Sequence, residues 1–222
     1  MLRSGPVAIL PLLLAAAPPA SQNRAPPSRD PSVLALGDPE LIAALGPLRT
    51  SVGSWVEYLV RAPGEEDVHV RLSVVPPALG SGRAWLEVAV LGEQALPFAA
   101  RLLVDRAGGI ERAIVYALGQ APLEIPLGDL QVPEKGAPRS AGRAVPVGAA
   151  EVTVPAGNFH AEELRIASRS GATRVWRSAR VPLWGLVRAE GAGRVVELTA
   201  LGEKGARSVF PDDHGKGSES AQ

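Results

Sequence analysis

Between Trp55 and Leu201 the chain alternates apolar and polar residues with a period of two, in short runs separated by turn residues. This constrains its fold more than any other feature. In "WVEYLVR" Val56, Tyr58 and Val60 fall on one side, with Trp55, Glu57 and Arg61 on the other. "VHVRLSVV" repeats the pattern with Val68, Val70, Leu72 and Val74, "AWLEVAVL" with Leu86, Val88 and Val90, and "FAARLLVD" with Phe98, Ala100, Leu102 and Val104. "GIERAIVYA", "QAPLEIPL" and "VVELTAL" continue the series. Pro63-Gly64, Gly80-Ser81-Gly82, Gly108-Gly109, Gly128-Asp129 and Gly191-Ala192-Gly193 punctuate it. Alternation with turns every ~8–12 residues predicts a meandering antiparallel sheet. About ten strands exceed what an open twisted sheet carries flat, so the sheet should curl. The expected fold is therefore mainly β, a strongly curved antiparallel sheet forming a half-open barrel, with one N-terminal helix packed on it. Asp38 as N-cap, Pro39 at the first helical position and the stripe Leu41, Ile42, Leu45, Leu48 define that helix.

The ends read differently. Arg3 followed by the apolar run Val7–Ala17 and "PPASQ" has the layout of a secretory signal, too short to cross a bilayer. The expected organisation is a signal peptide over 1–20, a Pro- and Ser-rich linker over 21–32, one β domain over 33–203 and a disordered tail over 204–222. Within the domain, 131–150 breaks the rhythm. It reads as a long loop, mobile or concealing a short strand near Ala144–Val147. The chain has no cysteine, which excludes disulfides, thiolate sites and a lipid-modified N-terminal cysteine. An exported protein, periplasmic or extracellular, with no transmembrane anchor in its mature form, is the expected address.

Composition narrows function mainly by exclusion. The 23 basic and 23 acidic side chains cancel, so no global field draws the chain to nucleic acid. No G-x-S-x-G elbow or phosphate-binding loop occurs, and His69, His160 and His214 are isolated from one another. His214 beside Asp212 and Asp213 reads as solvated tail rather than a metal site, and neither metal nor cofactor is expected. Glu162-Glu163 cannot share a proton on a strand, where neighbours face opposite ways. A non-catalytic protein is the expectation, with an unrecognised enzyme as the third reading.

Two sets of residues are candidates for binding. Tyr58, Trp85, Trp176 and Trp184 are either core or the lining of an apolar cavity beneath the helix. Arg165, Arg174, Arg177 and Arg188 belong to a stretch from Leu164 to Ala189 that contains no carboxylate. They form an anion patch if neighbouring strands bring them to one face, and otherwise protect a sheet edge by charge.

"VTVPAGNFHAEELR", followed by "TRVWRSARVPLWGLVRAE" and "VVELTALG", resembles a pattern in uncharacterised exported bacterial proteins. In these, a strand ends in V-x-V-P-A-G-x-F and a tryptophan strand, a VPLWGLVR-like segment and a last strand follow. That pattern distantly resembles the periplasmic lipoprotein-carrier (LolA-like) superfamily, whose half-open barrel holds acyl chains under a helical lid. The resemblance covers Val152 to Gly202. It implies binding of a lipid, acyl chain or lipoprotein in the concave face. The alternative is an envelope interaction module whose concave face is filled by its own side chains. Pro155-Ala156-Gly157 is expected to stop or bulge a strand before Phe159 starts the next.

Overall fold

The computed structural model describes residues 45, 48–77, 82–91, 98–105, 110–117, 121–126, 144–168 and 171–210. They form one open antiparallel sheet of eleven strands. The strands are β1 (Trp55–Arg61), β2 (Val68–Val75), β3 (Ala84–Leu91), β4 (Phe98–Val104), β5 (Ile110–Ala117) and β6 (Leu123–Ile125), then β7 (Ala144–Val154), β8 (Gly157–Ser168), β9 (Gly171–Arg177), β10 (Leu186–Gly191) and β11 (Arg194–Gly202). Their spatial order is β6-β5-β4-β3-β2-β1-β11-β10-β9-β8-β7. Each strand pairs with its sequence neighbour, except that β1 pairs with β11 to join the two half-sheets at the centre. Edges fall at β6 and β7, so the segment joining them starts at one edge and ends at the other.

The expected alternation sets the faces. Register pairs Tyr58 with Val70, Leu72 with Val88 and Leu86 with Leu102, so every second side chain across four strands points into one apolar layer. Leu72, Leu86, Leu102 and Leu198 are fully buried there. Each such side chain contributes about 1.5–3 kcal/mol relative to exposure. Tyr58 lies in the same layer and donates its hydroxyl hydrogen to the Leu186 carbonyl at 3.0 Å. Burial raises its pKa far above the ordinary phenol range.

Three segments depart from the sequence expectation. The interruption at 131–150 ends in an eleven-residue strand, β7, much longer than the short strand allowed for. Pro146 and Gly148 had concealed it. Proline lacks the donor a central strand needs, but β7 is an edge with a register shift between these two residues. Pro155 and Ala156 stop β7 as expected by forming a two-residue turn, with Val154 opposite Gly157, but the next strand starts at Gly157 rather than Phe159. Gly157 takes φ 127°, which disfavours other residues. Last, the chain stays ordered beyond Glu203. The Trp55 indole N–H donates to the Lys204 carbonyl at 3.2 Å, and Ala206 N–H donates to the Gly53 carbonyl at 2.8 Å. Phe210 closes a small cluster with Ala89, Ala99 and Ile114 on the opposite face of the sheet.

Of the expected N-terminal helix only Leu45 and Leu48 are described. Leu45 is helical and buried in the main core, and Leu48 packs against that core. The expected signal peptide and linker, and the tail beyond Phe210, lie outside the described residues.

Candidate functional site

The β7–β8 hairpin builds one wall of the site by changing the face it buries. Near its base Leu164 and Ile166 are buried, and near its tip Phe159 and Ala161, residues of opposite parity along one strand. The register shift on β7 permits this, because an extra residue rotates the pairing to the other face. The tip therefore folds back over the sheet. Ala156 N–H donates to the Leu198 carbonyl of β11 at 3.2 Å, although β11 lies beyond β8, β9 and β10 in sheet order.

The second wall is the connection between β9 and β10, Ser178–Gly185. Val181, Leu183 and Trp184 are buried, so this short loop plugs the core rather than looping into solvent. Ser178 N–H donates to Gly185 O at 2.8 Å, closing the loop at its base. Gly185 has φ 78°, and a Cβ there would stand 2.8 Å from the Ser178 carbonyl oxygen. Leu183 is left-handed at φ 58°, a conformation costing about 1–2 kcal/mol for a residue with a Cβ.

One side chain far away in sequence holds the loop in this shape. The Arg49 guanidinium donates to the carbonyls of Ala179 at 2.9 Å, Leu183 at 3.2 Å and Val181, while its backbone N–H donates to Leu183 O at 3.1 Å. A guanidinium carries five donors in a rigid fork, which suits it to three convergent carbonyls. Sequence reasoning missed Arg49. Nothing around "PLRTS" marks it, and its partners lie more than 125 residues away.

Between the hairpin, the plug loop, Leu45 and Arg49 runs an open groove of about 720 Å³. The hairpin contributes Ala149, His160, Ala161 and Glu162, and the loop contributes Ser178–Arg180, Leu183 and Trp184. Leu45, Arg49 and Arg177 complete it. Its lining is mostly apolar surface, and several of its polar groups are engaged by neighbours. Arg177 donates to Glu162 at 2.8 Å and to Leu45 O at 3.4 Å, and His160 Nδ1 lies 2.9 Å from Glu151.

The candidate aromatics are not brought together. Trp184 alone of the four lines the groove. Tyr58 is core, while Trp85 and Trp176 lie on the opposite face of the sheet from Tyr58 by register. There each is covered by arginine, Arg101 at 4.7 Å from the Trp85 ring, and Arg174 and Arg188 at 4.7 and 5.9 Å from Trp176.

The candidate arginines converge in part, but carboxylates of β8, β10 and β11 meet them. Arg174 pairs with Glu163 at 2.9 Å, Arg177 with Glu162, and Arg188 with Glu190 at 2.6 Å and Glu197 at 3.2 Å. Arg61 extends the ladder by binding Glu197 at 2.7 Å. The hydrogen bond from Arg174 holds the Glu163 carboxyl below the usual carboxylate range, despite a partial desolvation that acts the other way. Arg165 is exposed opposite Arg174. The stretch is thus a charge-balanced ladder at Arg174 and Arg188, with Arg177 neutralised by Glu162 on the other face, rather than an open cationic patch.

No protein-family model matches the chain, and no curated protein matches it. Among solved structures it is similar to a "putative lipoprotein" from Parabacteroides distasonis, at 12% identity over 69% of this chain and 96% of that one, with a TM-score of 0.34. It is also similar to a "putative exported protein with YmcC-like fold" from Bacteroides fragilis, at 12% identity over 68% of this chain and 96% of that one, with a TM-score of 0.30. Likeness at this level carries no information about activity or ligand.

Proposed function

We propose that this is an exported, non-catalytic binding protein, a half-open barrel of the lipoprotein-carrier kind, that takes one acyl chain in the groove between the β7–β8 hairpin and the plug loop. The observation carrying this reading is where open apolar space lies. The face of the sheet that a barrel would enclose is filled by Tyr58, Leu72, Leu86, Leu198 and their neighbours. The groove is open, apolar and about 720 Å³, within the ~300–1,000 Å³ range of small-molecule sites. The return of the hairpin tip to β11 supports the curled half-barrel, and the N-terminal charge-and-apolar pattern supports export.

The packed face also favours a second reading, an envelope interaction module without a ligand. Native mass spectrometry of protein purified from its own envelope, with displacement of an apolar dye by fatty acids, separates the two. The binding reading predicts co-purifying acyl-chain mass and dye displacement. Both should be lost in Ala149→Trp, which fills the groove from an exposed wall position. Absence of both in the unaltered protein would leave the module.

A further inference from the structure

The cations around the groove are not equivalent. Arg49 is engaged by three loop carbonyls, and Arg177 by Glu162 and the Leu45 carbonyl. His160 is bonded to Glu151. Arg180 differs from all of them. It sits in the exposed turn of the plug loop and lines the groove, and among the described residues no carboxylate lies within ion-pair distance of it. Among the described residues it meets the Phe159 ring, whose centroid lies 5.7 Å from the guanidinium carbon. Phe159 is itself buried at the hairpin tip, so the ring is a fixed surface for the cation. A ring contact occupies none of the N–H donors of a guanidinium in an ion pair, which leaves them for an anion.

We infer that Arg180 anchors the anionic head of a single-chain amphiphile whose tail lies along the apolar lining formed by Leu45, Ala161, Leu183 and Trp184. This rests on the groove being the acyl-chain site, and adds the class of ligand, one with a carboxylate or phosphate head rather than a neutral one. The geometry asks for a head group at the rim and a tail inside. Arg180 is exposed whereas Leu183 is fully buried, and both line the same space. A planar fork on a fixed aromatic surface selects a planar or tetrahedral oxyanion over a hydroxyl, because two parallel N–H···O bonds form only with the anion.

The test uses the full chain and two probes of equal tail length, palmitate and hexadecanol, each below its aggregation threshold, with acetate and inorganic phosphate as head-only controls. Dissociation constants are measured for the unaltered protein and for Arg180→Ala, Arg180→Lys and Arg180→Glu. Among the described residues Arg180 makes no hydrogen bond or ion pair, so melting temperatures should change little and serve as the folding control. The expected result is palmitate binding weakened ~3–10-fold in Arg180→Ala and further in Arg180→Glu, partly restored in Arg180→Lys, with hexadecanol unaffected. Palmitate affinity should fall with added salt and hexadecanol affinity should not. Equal binding of the two probes, or equal loss of both in Arg180→Ala, overturns the anchor and leaves the groove reading standing. Failure of both probes to bind the unaltered protein overturns the groove reading, and the anchor with it. Palmitate loss together with saturable acetate or phosphate binding at Arg180 would assign a free-anion site and overturn the amphiphile.

Discussion

Replacing Arg49 by alanine should loosen the plug loop without touching the sheet. Three guanidinium bonds are lost, to the carbonyls of Ala179, Val181 and Leu183. A hydrogen bond to a charged donor contributes ~1.5–3 kcal/mol where it is shielded, and less where water replaces it. The Ala179 carbonyl is solvent-exposed and should recover most of its bond from water, so the two partly buried bonds dominate. Without them, Leu183 at φ 58° also loses what holds it in a left-handed conformation. The expected cost is about 2–4 kcal/mol, a fall in melting temperature of roughly 5–15 °C for a domain of this size. Arg49→Lys keeps the charge but not the fork, and should recover less than half of the loss. Thermal and urea unfolding measure the cost. Hydrogen exchange measures its location, which should be the Ser178 and Gly185 amides, bonded across the loop at 2.8 Å and to Pro182 O at 3.2 Å. An Arg49→Ala protein that melts within about 1 °C of the parent, with those amides still protected, would falsify the claim that one distant arginine shapes the groove.

Glu87 gives a pH-dependent prediction. It is 2% exposed, and burial raises its pKa above 4.5, although it accepts bonds from Ser208 Oγ at 2.6 Å and Val209 N–H at 2.9 Å and faces the Arg101 charge. The folded protein therefore binds this proton more tightly than the unfolded chain does. The stabilisation is fully present below about 4.5 and is lost as pH rises through the raised value. Glu87→Gln cannot ionise, so its stability relative to the parent should rise across that window; a parallel pair of stability–pH curves would refute the assignment. Phe159→Ala removes a ring that is 4% exposed, and by the usual cost of such truncations should destabilise by about 3 kcal/mol. It should also free the Ala156 amide from its bond to Leu198 O. Unchanged exchange at Ala156 would mean that the hairpin tip is held by something other than Phe159.

The strand faces were legible because alternation is local. Val56, Tyr58, Val70, Leu72, Leu86 and Leu102 are buried as their spacing demands. Trp85 shows the limit of using residue type in place of position. It is two residues from Glu87 and so shares its face, whatever the chemistry of indole suggests. Glu163, Glu162 and Glu197 meet Arg174, Arg177 and Arg188 from neighbouring strands, a matter of strand order and register that local charge counting does not capture, whereas Glu190 lies two residues from Arg188 on β10 itself. Strand β7 was obscured because proline and glycine read as loop unless the strand is known to be an edge. Pro155-Ala156-Gly157 was correctly read as an interruption that needs a glycine. Whether the next strand continues or turns back depends on where β11 lies, and that is a tertiary fact. Nothing in the sequence marks the "VPLWG" segment as a plug, and only the fold shows that it is one tied to Arg49.

The most direct test of where the ligand sits is photoaffinity labelling of the full-length protein with a diazirine-bearing palmitate, followed by peptide mapping. Saturable labelling confined to Leu45, His160–Glu162 and Ala179–Trp184, and abolished by Ala149→Trp, is the predicted result. Saturable labelling of β1–β4 peptides carrying Tyr58, Leu72 or Leu86 would place the acyl chain inside the sheet and contradict the account.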